Sequence, residues 1–245
     1  MKKFTNKFSH PLMSNNIIKE DVVNLTSFIE KTNRFTNGPE VKKFENKWSK
    51  WLGVKYSVFV NSGSSANLLS LAALKIKKGV GEIIVPPLNW SSNIFSILHN
   101  GFKPKFVDIN LNTLGLDEKQ IESAISKKTK AIFLTHILGL NALTPKIIRL
   151  IKKYKIDLIE DCCESHGAKF NKKKIGTFGN QSNFSFYYAH HMSTIEGGMI
   201  CTNSFNTYEI LRMLRSHGMV REASSSKIKN VYLKKYRDLN KDFIF

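Results

Sequence analysis

A chain of 245 residues that is 42% hydrophobic is long and apolar enough for one large domain, which excludes an intrinsically disordered segment. Its formal net charge of +19 invites a nucleic-acid partner, but the lysines are spread along the whole chain and far outnumber arginine, so the charge reads as compositional bias and not as a shaped basic groove. No helix-turn-helix, zinc-finger or RNA-sheet signature accompanies it, so no nucleic-acid partner is expected; small anionic substrates are still drawn in by the field, and a basic binding module is the residual alternative.

The start, Met1-Lys2-Lys3-Phe4-Thr5-Asn6, lacks the apolar core and cleavage site of a signal peptide, and no apolar run is long enough to span a bilayer, so a cytoplasmic chain without a membrane partner is expected. Val41, Phe44, Trp48, Trp51 and Leu52 recur at helical spacing and stop at Gly53. Residues 56–60 predict a strand, and residues 67–74 a helix reached through Ser62-Gly63-Ser64-Ser65. The cycle repeats: strand 82–85 before Pro86-Pro87, helix 93–99, strand 105–109, helix 117–125, strand 131–135, helix 145–154 capped by Thr144, strand 156–159. Strands at 183–187 and 197–202 and a helix around Ile210, Leu211 and Leu214 complete the pattern. Continuous apolar strands separated by helices predict an α/β three-layer sandwich with a mostly parallel sheet, its ligands at the strand carboxyl ends.

Polar residues gather at those ends. The Ser62-Gly63-Ser64-Ser65-Ala66 turn can hold a phosphate at a helix N-terminus, or only cap the helix. It lacks a P-loop lysine, and no GxGxxG follows a strand, which weighs against nucleoside triphosphates and dinucleotides. Asp161, in Ile159-Glu160-Asp161-Cys162-Cys163-Glu164-Ser165-His166-Gly167, ends an apolar strand, where a carboxylate can hold a cationic ring nitrogen or merely tie a loop. Trp90 offers either a flat face to a cofactor or plain packing. His190 and His191 lie on a polar turn between two strands. His217 follows the last helix, with a surface C-cap as the alternative. Lys172-Lys173-Lys174 reads as a solvated turn. The three cysteines, Cys162, Cys163 and Cys201, read as reduced thiols; they can complete neither a four-thiolate cluster nor a zinc ribbon, and no metal is expected.

Phe35-Thr36-Asn37-Gly38-Pro39 with Phe44-Glu45, Ser62-Gly63-Ser64-Ser65-Ala66, Glu160-Asp161, Ser185 and Glu196-Gly197-Gly198 together resemble the DegT/DnrJ/EryC1/StrS sugar aminotransferase family of fold-type-I pyridoxal-phosphate enzymes, in order and spacing across nearly the whole chain. Where that family carries its cofactor-linking lysine, this sequence has His190, and residues 184–199 contain no lysine. Histidine there resembles the nucleotide-sugar 3-dehydratases of the GDP-4-keto-6-deoxy-D-mannose type. The resemblance implies an aspartate-aminotransferase-like large domain that binds pyridoxal 5'-phosphate or pyridoxamine 5'-phosphate non-covalently. Asp161 would pair with the pyridine nitrogen, Trp90 would stack on the ring, Ser64, Ser65 and Ser185 would hold the phosphate, and Glu164 would lie near the ring hydroxyl. His190 would be the acid/base, and His217 would reach toward the substrate. The implied substrate is a nucleotide-linked 4-keto-6-deoxyhexose losing its 3-hydroxyl in deoxysugar biosynthesis, with glutamate as amino donor and a homodimer as the assembly.

By the same resemblance, residues 1–35 form an N-terminal segment and residues 36–245 the cofactor-binding large domain, with the C-terminal small domain absent. The alternative is an inactive or split remnant that needs a separate C-terminal partner. Which nucleotide and hexose are used is open.

Overall fold

The computed structural model describes residues 15–238. The opening Met1–Asn6 read above, and Leu239 onward in the segment assigned to the large domain, lie outside the described residues. Nine strands and eight α-helices are described: α1 Lys19–Lys31, α2 Pro39–Leu52, β1 Tyr56–Val60, α3 Gly63–Lys78, β2 Glu82–Val85, α4 Ser91–His99, β3 Lys103–Phe106, α5 Glu118–Ala124, β4 Thr129–Thr135, α6 Pro145–Tyr154, β5 Asp157–Asp161, β6 Lys169–Phe170, β7 Lys173–Lys174, β8 Gln181–Ser185, β9 Gly198–Thr202, α7 Phe205–Arg215 and α8 Ser226–Lys235. Seven strands form one sheet in the order β1-β9-β8-β5-β4-β2-β3. Every pairing is parallel except those of β9, which runs antiparallel to both β1 and β8.

The period-2 alternation of each strand explains the layers. Ile132 and Leu134 of β4 and Leu158 of β5 face α2, α5 and α6 through Trp48, Leu52, Ile121, Ile147 and Leu150. Ala131, Phe133 and Ile159 face α3 and α4 through Leu71, Leu74 and Ile97, and Val58, Val60 and Ile200 face α3 and α7. The expected sandwich is therefore present, with a core on each side of the sheet.

Several boundaries move for physical reasons. Helix α3 starts at Gly63, four residues before the predicted start at Asn67, because Ser62 caps it, its Oγ accepting from Ser65 N at 3.1 Å. Strand β3 is drawn back to Lys103–Phe106 by its parallel register with β2, Glu82 opposite Lys103, while Ile109 makes only a lone bridge to Leu116. The Lys172–Lys174 turn reading is corrected: Lys173 and Lys174 pair with Phe170 and Lys169, and the turn is Asn171-Lys172, both left-handed as a two-residue hairpin turn requires. Lys174 is bound, its ammonium on the Trp51 carbonyl and 4.6 Å from the Trp51 ring centre. Helix α1, with no buried residue, and helix α8 were not read from the sequence. Among the described residues, no helix is long and apolar enough to cross a membrane.

Candidate active site

The carboxyl ends of β1, β2, β5 and β8 lie along one side of the sheet, and seven of the eight residues singled out by sequence stand on them, on the turns that follow or, for Ser64 and Ser65, in the first turn of α3. Asp161 is the last residue of β5 and only 4% exposed. Its Oδ2 accepts from Asn67 Nδ2 at 3.2 Å and its Oδ1 from Cys163 N at 3.1 Å. Both donors are neutral, and no lysine, arginine or histidine pairs with it among the described residues. Behind it, Asn67 accepts from Asn183 Nδ2 at 2.9 Å and reaches Ser92 Oγ and Asn93 Oδ1, both at 3.2 Å. Ser70 donates to Asn183 Oδ1 at 2.6 Å. Sequence reasoning missed this relay. Its signal was asparagine within an apolar helix and again within a strand, two settings that disfavour it unless its amide is used.

The neighbouring carboxylate, Glu160, points to the other face, as alternation requires. It accepts from the backbone N–H groups of Gly176 (2.8 Å), Phe178 (2.9 Å) and Gly179 (2.6 Å), with His136 Nε2 at 3.3 Å. His136 Nδ1 accepts from Ala142 N at 3.1 Å, which places the imidazole proton on Nε2, facing Glu160. His136, Glu160 and Cys162 bring their donor atoms within 4.8 Å of one another, but the histidine and the carboxylate are already engaged by these hydrogen bonds.

Gly63, the first residue of α3, lies against the end of β8. A Cβ there would sit 2.7 Å from Ser185 Cβ and 2.9 Å from Cys163 Sγ, so only glycine lets the helix N-terminus approach so closely. At Gly198, in the same way, a Cβ would fall 2.2 Å from the Ser62 carbonyl oxygen. Ser64 is exposed in the first turn of α3, Ser65 is half-buried with its N–H on Ser62, and Ser185 Oγ accepts only from Tyr187 N at 3.3 Å. Hydroxyls and a helix N-terminus thus share one corner, an arrangement suited to an anion. Trp90 is the residue preceding α4 and 70% exposed; it stands two residues before Ser92, which touches the Asn67 amide.

Glu164 Oε2 accepts from Leu138 N at 3.1 Å, holding that residue in the left-handed conformation at the end of β4. His190, in the turn after β8, is half-buried, and its N–H is bonded to Tyr187 O at 2.9 Å. Burial pushes its imidazole below the ordinary value, while Glu164 and Asp161 pull it back up and His191 pushes it further down. Both carboxylates therefore favour the charged form of His190 through space, without a hydrogen bond to it. His217 is not brought to this cluster: it is exposed beyond α7, in the left-handed conformation, without a hydrogen bond or ring contact to Asp161, Glu164 or His190. That geometry is one in which a helix C-terminus ends, the alternative weighed above.

Burial drives Cys201 up to about 12 and raises Cys162 and Cys163 well above the usual thiol range, so these free cysteines are poor nucleophiles.

A mostly parallel sheet with one antiparallel strand, a glycine-opened helix N-terminus and a strand-end aspartate held only by neutral donors define a large domain of the fold-type-I pyridoxal-phosphate class. The chain belongs to the DegT/DnrJ/EryC1/StrS aminotransferase family, whose profile matches residues 16–237. It is 44% identical over 193 residues to GDP-4-keto-6-deoxy-D-mannose 3-dehydratase of Escherichia coli O55:H7, covering 76% of this chain and 50% of that one. It is 40% identical over 208 residues to the enzyme of the same name from Yersinia pseudotuberculosis, covering 82% of this chain and 53% of that one. The structure of the E. coli GDP-4-keto-6-deoxy-D-mannose-3-dehydratase with bound hydrated PLP superposes with a TM-score of 0.82 at 40% identity, over 87% of this chain and 56% of that one. The chain spans about half the length of the curated relatives it matches.

Proposed function

We propose that this chain carries the cofactor-side residues of a nucleotide-sugar 3-dehydratase that removes the 3-hydroxyl of a GDP-linked 4-keto-6-deoxyhexose. The observation that carries the reading is His190, half-buried in the field of Asp161 and Glu164, in a segment with no lysine.

The residues fit pyridoxamine 5'-phosphate. Asp161 has an unpaired negative charge, 4% exposed and bonded to two amide N–H groups, which suits a protonated ring nitrogen better than any neutral group. Ser64, Ser65 and Ser185 would take the phosphate at the α3 N-terminus, Trp90 would cover the ring, and Glu164 would keep one carboxylate oxygen for the ring hydroxyl while the other holds Leu138. When bound, the cofactor supplies an amino group for the 4-keto carbon and a ring that accepts electrons from its aminomethyl carbon. His190 would be the group that takes up a proton at the reacting centre and gives one to the departing 3-hydroxyl, and the burial that lowers its pKa favours the neutral, proton-accepting form at the start. A lysine there would bond the cofactor covalently; a histidine cannot. The product would be a 4-keto-3,6-dideoxy sugar, formed when water replaces the C4 amino group and ammonia leaves; glutamate would be the amino donor that restores the pyridoxamine form, and the working assembly would be a homodimer in the cytoplasm.

Absorbance with pyridoxal phosphate and then glutamate tests the reading. A bound-cofactor band that converts to the pyridoxamine spectrum, lost in Asp161→Ala and leaving no lysine adduct after borohydride, is expected. A well-folded chain that binds no cofactor, or that yields a borohydride-fixed lysine, overturns it.

A further inference from the structure

His166 belongs to no role given so far. Its ring sits against an aromatic wall, with centre-to-centre distances of 5.6 Å to Trp48, 5.8 Å to Phe184 and 5.6 Å to Phe186, and its open side meets His191 at 5.7 Å and His190 at 6.4 Å. Both ring nitrogens are buried and neither makes a well-formed hydrogen bond; the one polar group near enough to act on the ring in that way is the Ser185 backbone, which leaves at least one nitrogen without a partner. A buried polar atom is costly to leave unpaired, so this one signals a partner taken in another state. The Ser185 backbone favours the charged ring, but burial, then His191 and His190, outweigh it and push His166 down to about 4. It is thus a neutral imidazole with an acceptor nitrogen, its ring centre 6.4 Å from that of His190.

We propose that His166 is the positioning residue of His190: its unpaired ring nitrogen accepts the N–H that His190 gains on taking up a proton. This rests on the acid/base reading of His190. A neutral acceptor is the useful partner here, because a second cation would expel the proton, whereas Asp161 and Glu164 favour it only through space. The groups that act on His190 are Glu164, Asp161 and His191, with the Tyr187 ring 6.0 Å away; those facing His166 are His190, His191 and the Ser185 backbone.

The test is a histidine NMR titration of the cofactor-free chain, with the His190 signal assigned by its loss in His190→Gln. In His166→Phe, which keeps the aromatic packing but removes the acceptor, the His190 midpoint should move down by about 0.5 to 1 pH unit, while His166→Gln, which retains an acceptor, restores most of it. An unchanged midpoint in a His166→Phe chain that melts like wild type overturns the proposal. So does a shift that vanishes in a His191→Ala background, which would make His191 the mediator. Because no cofactor is present, failure here is distinct from failure to bind pyridoxal phosphate, which would instead remove the functional reading.

Discussion

Glu160 is the test of how this site is held up. Its carboxylate, fully buried, collects three backbone N–H groups at 2.8, 2.9 and 2.6 Å from the Gly176–Gly179 turn, and His136 at 3.3 Å from the end of β4. Hydrogen bonds to a charged acceptor are each worth about 1.5–3 kcal/mol, and each buried donor left without a partner when the carboxylate is removed costs about 1–3 kcal/mol. Glu160→Ala should therefore cost about 4 kcal/mol, a large part of the 5–15 kcal/mol typical of a domain. Glu160→Gln is the sharper probe. Its amide oxygen can still accept from Phe178 and Gly179, but the amide N–H₂ is then aimed at the Gly176 N–H and His136 Nε2, donor against donor. A loss of about 2 kcal/mol is expected, lowering the melting temperature by about 4–8 °C at this chain length. Urea unfolding with an unchanged slope isolates the stability term. If Glu160→Gln unfolds within about 0.5 kcal/mol of wild type, the carboxylate is not what anchors the turn and the reasoning fails.

Two further predictions follow from the same geometry. His166 titrates at about 4 in the folded chain against an ordinary 6.5, so below pH 6.5 the unfolded chain binds a proton that the folded chain refuses. Its contribution to stability is intact above pH 6.5 and is lost as pH falls toward 4, by up to about 3 kcal/mol. Unfolding free energies at pH 7 and pH 4.5 should differ less in His166→Phe than in wild type, and parallel losses would count against a buried neutral imidazole. Gly63→Ala places a methyl 2.7 Å from Ser185 Cβ and 2.9 Å from Cys163 Sγ, which should cost about 1–3 kcal/mol and weaken pyridoxal-phosphate binding. A variant that melts and binds like wild type would show that α3 has room to withdraw from β8.

The sandwich was legible in the sequence because strands such as Ala131-Ile132-Phe133-Leu134 are apolar on both faces, and only a sheet covered on both sides buries them. Asp161, Ser185 and His190 stood out in the sequence because polar residues there interrupt or end apolar strands, and the structure places them at neighbouring strand ends. Less legible was anything set by partners distant in sequence. The Asn67–Asn183 contact joins residues 116 apart, and His166 acquires its character from Trp48 and from the turn after β8. Helix α1 does carry an apolar stripe, Val22, Leu25, Phe28 and Ile29 at helical spacing, so its signal was present in the sequence and went unread; the structure leaves Val22, Leu25 and Ile29 exposed. Near the end of α7, Arg215 turns inward to Glu45 Oε1 at 2.6 Å, whereas His217 is exposed with a left-handed backbone.

The adjacent pair Glu160-Asp161 shows why a carboxylate's partners, and not its position in a motif, decide what it can do. Strand alternation sends one to each face of the sheet at the same depth. Glu160 meets a turn that offers three amides to its two oxygens and a histidine besides, leaving it little capacity to engage anything else. Asp161 meets one asparagine amide and one backbone N–H, enough to fix its orientation but not to balance its charge. Buried charge that is oriented yet unbalanced is costly in isolation and becomes favourable once a cation arrives. On the reading proposed here, a cationic ring at Asp161 would supply the balance that a purely structural residue would have to find in the protein, as Glu160 does one residue earlier.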